Sequence, residues 1–398
     1  MSIRLADILS AALPDLRGLR LPRVLLNAID AVVRCRTAAA GGHVKRCERK
    51  HIVGVWYNAC RHRSCPRCAF TRVHRWLARQ AEVLLGCAHY HIIFTVPHEL
   101  NQLWPYNYAV LGDLLFAAAR AALFELAADP AYLGARVGAI MALHSWGQLL
   151  FLHPHIHCLA TAGGVDAMGR WVATRRKHFL PAEPLKKLFR GKYIDGVRAL
   201  ARAGRLRLPP GWGPAEVQRL LDPLQHKRWN VHIRERYSNP SGVLNYLGRY
   251  LNGGPIGEKR LLEFDGESVT FSYKDYRDEG PQGPRVKSAR LSREDFVQRW
   301  LQHVPPKGFH MVRGYGLYSP GMKQGEHERI REMVGAVVPA PCAMASSTPE
   351  HTNPATADKV LSCPLCGCSR FTVEEWPRGL PLPPLAVPGA PPGTAVAA

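Results

Sequence analysis

The hydrophobic pattern predicts an α+β protein with a largely antiparallel sheet flanked by helices. Three observations carry this. Apolar residues recur at helical spacing in some stretches and as short β-branched or aromatic runs in others. Two runs on either side of His153-Pro154 read as a hairpin, and the remaining strands stand isolated between helices. With 398 residues and 46% hydrophobic content the chain can bury a sizeable core, and its length suggests two or three domains.

In residues 3–35 the positions Leu5, Ile8, Leu9 and Leu13, then Val24, Leu25, Ile29, Val32 and Val33, mark two short helices, the second started by Pro22. A segment rich in Cys, His and Arg follows over 41–68. Residues 72–85 return to helical spacing through Val73, Leu77, Ala81 and Leu84. The run at 89–96 is β-branched and aromatic, stops at Pro97, and predicts a strand. A long helix is expected over 108–128. Residues 137–150 and 156–162 predict two strands joined by a turn at His153-Pro154. Residues 183–224 read as largely helical and basic. A strand at 229–236 leads through the turn at 239–242 into a helix at 243–251, with Ser241 as N-cap. Strands at 260–264 and 268–273, a helix at 293–302 and a short strand at 310–313 complete the globular part. Beyond about residue 334 the composition turns to Pro, Ala, Ser and Thr, which predicts a mostly unstructured tail.

The 53 Lys and Arg against 31 Asp and Glu leave a formal charge of +22. An acidic, disordered or collagen-like chain is excluded, and a phosphate-rich partner, nucleic acid foremost, is indicated. A membrane fares worse, because the most apolar stretch, 109–128, is interrupted by Asp113, Arg120 and Glu125. The N-terminus offers no continuous apolar signal region, so the expected location is the cytoplasm and the eleven cysteines read first as metal-binding thiolates.

Three constellations carry chemistry. The first is Cys47-x3-His51 followed by Cys60-x4-Cys65-Pro66-Arg67-Cys68, whose short ligand pairs suit tetrahedral Zn²⁺. Chance would supply about 0.3 CxxC pairs from this composition, whereas the chain has two. The second pair, Cys363/Cys366, shows no fourth ligand nearby and reads either as a remnant knuckle or as no site. Arg49, Lys50, Arg61, Arg63 and Arg67 lie between the first ligands and suit either a phosphate backbone or a solvated face. In the second constellation, His155-Ile156-His157, strand alternation turns both imidazoles to one side. Gln148 could join them across the hairpin around a hard divalent ion, Mg²⁺ or Mn²⁺, with His144 and His153 as competitors for that place. The third is Tyr246 and Tyr250, four apart on a predicted helix and hence on one face, either a reactive pair or an ordinary aromatic pair.

Read in order, the stretches CRTAAAGGHVKRC (35–47), YNACRHRSCPRC (57–68), HYHIIFTVPHELN (89–101), HSWGQLLFLHPHIHCL (144–159) and VLNYLGRYLNGGPI (243–256) resemble one family. The chain is similar to the IS-ninety-one-like rolling-circle insertion-sequence transposases, of the HUH (His-hydrophobic-His) two-tyrosine class. The resemblance spans about residues 1 to 320. It implies an N-terminal helical zinc-binding domain (1–86) and an HUH-type endonuclease domain (87–320), while composition leaves 335–398 as a largely disordered tail with a CxxC remnant. It also implies His155 and His157 as ligands of a catalytic Mg²⁺ or Mn²⁺, and Tyr246 and Tyr250 as nucleophiles. Many relatives carry CxxC where this chain has Cys47-Glu48-Arg49-Lys50, so the structural Zn²⁺ is expected on four of Cys47, His51, Cys60, Cys65 and Cys68. The implied partners are single-stranded DNA at element ends and target site, with a host helicase and replication machinery, since nothing in the chain resembles a Walker A loop. The competing readings are a plasmid replication initiator or relaxase, and a catalytically silent zinc DNA-binding protein.

Overall fold

A computed structural model describes residues 3–174, 179–238, 242–243, 248, 254–281, 283–335 and 362–385, the side chains of Phe70, Arg72, His74 and Glu235 excepted. The apolar run beginning at residue 89 forms β3 (His89–Thr95), an inner strand of an antiparallel sheet. Its neighbours are β5 (Leu152–Val165) on one side and β7 (Asn230–Tyr237) on the other. Beyond β5 lie β4 (Arg136–Trp146) and β11 (Val312–Gly316), and the short β6 (Trp171–Ala173) pairs with the end of β5. Period-two alternation gives the sheet two distinct faces. Tyr90, Ile92 and Phe94 of β3, Ile156, Cys158 and Ala160 of β5, and Ala139, Met141 and Leu143 of β4 face one way. They pack under α4 (Tyr108–Ala128) and α5 (Ala182–Arg202), with α6 (Pro214–His226) completing this main core. The opposite face carries histidines.

The expected α+β architecture is the observed one, but the hairpin turns elsewhere than at His153-Pro154. The loop is 147–151, closed by the Gly147 N–H to the Phe151 carbonyl at 3.0 Å, with Leu150 at φ +61°. Pro154 lies inside β5. His144 opposes His155 while Trp146 opposes Leu152, so two residues of β5 face one of β4 there. A bulge of this kind leaves Pro154 without a ladder donor to supply, which is why proline is tolerated in mid-strand.

Two smaller sheets flank the large one. The strands β8 (Leu261–Phe264), β9 (Ser268–Gly280) and β10 (Gly283–Ser292) pack with α1 (Leu5–Arg17), α2 (Arg23–Arg34) and α7 (Arg293–Leu301) around Phe271, Phe296 and Trp300. The N-terminal helices therefore share their core with residues 256–304. The third sheet has the order β12-β1-β2, from β1 (Gly42–Cys47), β2 (Ile52–Tyr57) and β12 (Phe371–Trp376). Here the expectation of disorder from residue 335 is corrected for 362–385, because β12 pairs with β1 along its whole length. A further helix, α8 (Gln324–Val334), precedes the tail, and α3 (Pro66–Val83) links the small sheet to the large one. The predicted helix at 243–251 lies mostly outside the described residues.

One buried contact fixes β3 to the segment after β11. The Leu85 N–H donates to the Tyr318 hydroxyl (3.2 Å), which donates to His89 Nε2 (2.7 Å), while His89 Nδ1–H donates to the Cys87 carbonyl (3.0 Å). This chain of bonds needs a neutral imidazole, and burial lowers the His89 pKa to about 4. A lowered histidine pKa means that the unfolded chain binds the extra proton, so stability falls as pH drops from about 6.5 toward 4, by about 3 kcal/mol from this group. Denaturant midpoints of parent and His89→Gln across that window should differ in pH slope by close to one proton. Equal slopes would show that His89 is not held neutral.

Candidate functional site

The histidines follow from alternation along three adjacent strands. In β5 the residues His155, His157 and Leu159 share one face. Register places His144 of β4 opposite His155 and Ala142 opposite His157, so Ile140, Ala142 and His144 share that face too. On the other flank His157 opposes Ile93, which brings His91 to the same side. One ring nitrogen from each of His144, His155 and His157 lies within 4.8 Å of the others, and all three side chains are buried.

A backbone carbonyl fixes the tautomer of His155. His155 Nδ1–H donates to the His153 carbonyl at 2.7 Å, so its lone pair is on Nε2, 3.0 Å from His157 Nε2. The His157 Nδ1 lies 3.1 Å from His91 Nε2, so one of these two rings donates to the other and orients His157. Burial, followed by the neighbouring His144, holds the pKa of both His155 and His157 far below the usual imidazole value. Burial and the Arg234 charge lower His91 to about 3. His91, His155 and His157 are thus neutral nitrogen donors at neutral pH, and with His144 beside them the cluster suits a divalent metal.

Gln148 does not belong to it. It lies in the 147–151 loop, where its Oε1 accepts the Lys274 N–H at 3.1 Å and its carbonyl accepts from Arg260 at 2.5 Å. Its expected place is filled by His144, one of the two competitors, and the other, His153, is exposed at the bulge. The His144 ring stacks on Trp146 with centroids 4.6 Å apart. His91 escaped the sequence reading, although it occupies the same periodic position as His89 in a strand already identified.

A cleft of about 350 Å³ opens beside the cluster, lined by His144, Trp146, Trp76, Arg63, Arg79 and His310 among others. Its aromatic faces and guanidinium groups suit bases and phosphates. Tyr246 and Tyr250 lie outside the described residues. Val243, three positions before Tyr246, is fully buried and belongs to the same apolar cluster as Ile140 and Leu159 on the histidine face.

The cysteines form two clusters rather than the single expected one. Cys60, Cys65 and Cys68 come together as expected, but their fourth partner is Cys35, at the C-terminal end of α2. The Sγ separations are 3.4 Å for Cys35–Cys68 and 3.6 Å for Cys60–Cys68, close to the ~3.8 Å edge of a tetrahedron with ~2.3 Å Zn–S bonds. Hydrogen bonds from Cys60 and Cys65 pull the Cys35 thiol down to about 7, so the thiolate a metal requires is within reach at neutral pH. Cys47 and His51 are elsewhere. Cys47 groups with Cys363, Cys366 and Cys368, and His51 Nδ1 sits 3.6 Å from Cys47 Sγ and 3.7 Å from Cys363 Sγ. The reason is strand direction: β1 carries Cys47 away from the 60–68 turn and toward the residues that precede β12.

Comparison with known proteins gives two matching family models. One, described as "Transposase zinc-binding domain", covers residues 8–96, and the other, described as "Putative transposase", covers 138–326. Among curated proteins, "Putative transposase y4qJ" of Sinorhizobium fredii is 33% identical over 90% of this chain and 91% of its own length. "Transposase for insertion sequence element IS801" of Pseudomonas savastanoi pv. phaseolicola is 28% identical over 86% of this chain and 82% of its own. Among solved structures, a metal-bound conjugative relaxase TrwC in complex with oriT DNA is 12% identical, with a TM-score of 0.22, over 42% of this chain and 70% of that one. Among the described residues no helix is long and apolar enough to cross a membrane.

Proposed function

This chain belongs to the family of IS-ninety-one-like transposases, and on that premise we propose that it nicks and rejoins single-stranded DNA at the ends of a mobile element through 5′-phosphotyrosine intermediates, driving rolling-circle transposition. The observation that carries the reading is the buried trio His144, His155 and His157, whose ring nitrogens converge on one sheet face. These residues would hold the catalytic divalent ion, and an all-imidazole set favours Mn²⁺ over the harder Mg²⁺. When bound, such an ion supplies charge stabilisation at a non-bridging oxygen of the scissile phosphodiester.

The chain's own residues account for the remaining steps. His91 orients His157, and Trp146 fixes the plane of His144. Arg234, whose charge is felt by both His91 and His157, would bind a phosphate oxygen. The phenol oxygen of Tyr246 or Tyr250 attacks phosphorus in line and the P–O3′ bond breaks. The phenolic proton ends on the departing 3′-oxygen, the phosphate stays on the tyrosine as a 5′-ester, and no ATP is consumed. Attack by another 3′-OH reverses the step and joins strands, and a second tyrosine allows one transfer to be held while another proceeds. Strand separation would fall to a host helicase and the replication machinery. The burial of Val243 beside Leu159 supports this reading, since Leu159 is two residues from His157 along the strand.

The test is incubation of the purified protein with single-stranded DNA from the element's ends and Mn²⁺, followed by mass mapping of the DNA-linked peptide. A 5′-phosphate on Tyr246 or Tyr250 is expected, with some cleavage left in at least one single Phe variant and no adduct from Tyr246→Phe/Tyr250→Phe. An adduct on Tyr273 or Tyr276 would overturn the assignment.

A further inference from the structure

The four thiols Cys47, Cys363, Cys366 and Cys368 lie within 4.8 Å of one another, although the chain separates Cys47 from Cys366 by 319 residues. The Sγ distances are 3.7 Å for Cys47–Cys366 and 3.4 Å for Cys366–Cys368. These are far longer than the ~2.05 Å of a disulfide and close to the edge of a single-ion tetrahedron. We propose that these four cysteines hold a second structural Zn²⁺, which clasps the C-terminal segment 362–385 onto the N-terminal β1-β2 sheet.

The backbone around the thiols is shaped for a metal. The Cys363 N–H donates to the Cys368 carbonyl and the Gly367 N–H to the Cys363 carbonyl, each at 2.8 Å, and Gly367 takes φ +72°, which a β-carbon would strain. The turn after Cys47 has a related form: the Lys50 N–H donates to the Cys47 carbonyl at 2.8 Å and Lys50 itself adopts φ +62°. A second thiol at position 50 would make this turn a CxxC knuckle. In its place stands a lysine, and Cys368, two residues past Cys366, supplies the missing sulfur. His51 Nδ1 lies beside two of the thiols, where its N–H can stabilise thiolate charge without joining the four. Four soft donors around one point select Zn²⁺ over hard ions.

The segment also needs a clasp. It is tied by the β12–β1 ladder, by the Gly379 N–H to the Ala38 carbonyl (2.8 Å) and by the Leu382 N–H to the Tyr57 hydroxyl (3.2 Å). Yet residues 372–375 of β12 are all exposed, so apolar burial contributes little to holding this edge strand. Among residues 362–385 the one buried side chain is that of Cys363, 2% exposed.

Native mass spectrometry of the full chain is expected to find two Zn²⁺, with Cys47, Cys363, Cys366 and Cys368 protected from alkylation until a chelator is added. Cys366→Ser should lower the count from two to one and raise hydrogen exchange in 362–385 while leaving 66–83 unchanged. His51→Ala should keep two. A parent with a single zinc and freely alkylated Cys363 and Cys366 would overturn the proposal, as would a Cys363–Cys366 or Cys47–Cys366 disulfide, and a His51→Ala variant with one zinc would overturn the four-thiolate assignment. The count and protection pattern of the parent decide the matter even where a variant fails to fold.

Discussion

His157→Ala is expected to reduce single-strand cleavage by about 10³-fold or more, with His144→Ala close behind and Gln148→Ala within about threefold of the parent. The order follows from geometry. His157 Nε2 faces His155 Nε2 at 3.0 Å, and its other nitrogen is held by His91, so removing it opens the centre of the cluster. His144 supplies the third nitrogen, whereas the Gln148 amide is committed to the Lys274 backbone. Loss of one preorganised charge-stabilising group at a phosphoryl-type transition state costs about 10²–10³, and a lost ligand removes the group that would do so. His91→Gln acts through His157 alone and should weaken the metal by about 10–100-fold, visible as a shifted Mn²⁺ titration with a smaller change at saturating metal. Cleavage rates against Mn²⁺ concentration, with direct Mn²⁺ binding measured alongside, separate these cases. Cleavage undiminished in EDTA, or a Gln148→Ala variant that loses metal while His144→Ala keeps it, would refute this arrangement.

The difference between Gln148 and His144 shows where sequence reasoning reaches its limit. Alternation along a strand is local, and the pairing of His155 with His157 was readable from it, as were β3 and the bounds of α4. Which residue lies across the hairpin depends on where the chain turns. A proline at residue 154 points to a turn there, and a bulge that lets it sit in mid-strand leaves no distinct signature. The strand β10 was missed for a related reason. Its residues run Arg285, Val286, Lys287 with Val286 67% exposed, so neither face presents the apolar stripe on which strand recognition rests. Tertiary ligands were harder still. Cys60, Cys65 and Cys68 announce themselves by spacing, while Cys35 and the partners of Cys47 are brought in by helix ends and strand pairing that no short spacing encodes.

Cys35→Ser is accordingly expected to cost the N-terminal module its zinc and much of its stability, whereas Cys47→Ser should leave this site loaded. Serine is a poor ligand for Zn²⁺, and three thiolates left buried without the metal repel one another. Cys35, Cys65 and Cys68 also belong to the apolar cluster of Leu5, Ile8, Phe296 and Trp300, so loosening the 60–68 turn exposes the packing between α1 and α7. Loss of a structural metal is among the few mechanisms that exceed about 4 kcal/mol for a single substitution. The expected result is one zinc fewer per chain, alkylation of Cys60, Cys65 and Cys68 without added chelator, and an unfolding midpoint lowered by several degrees. Cys87→Ser, whose thiol lies in neither cluster, serves as the control and should retain the full zinc count. A Cys35→Ser protein with the parent's zinc content and midpoint, set against a Cys47→Ser protein that releases zinc from Cys60, Cys65 and Cys68, would restore the grouping expected from spacing alone and overturn the one the fold assembles.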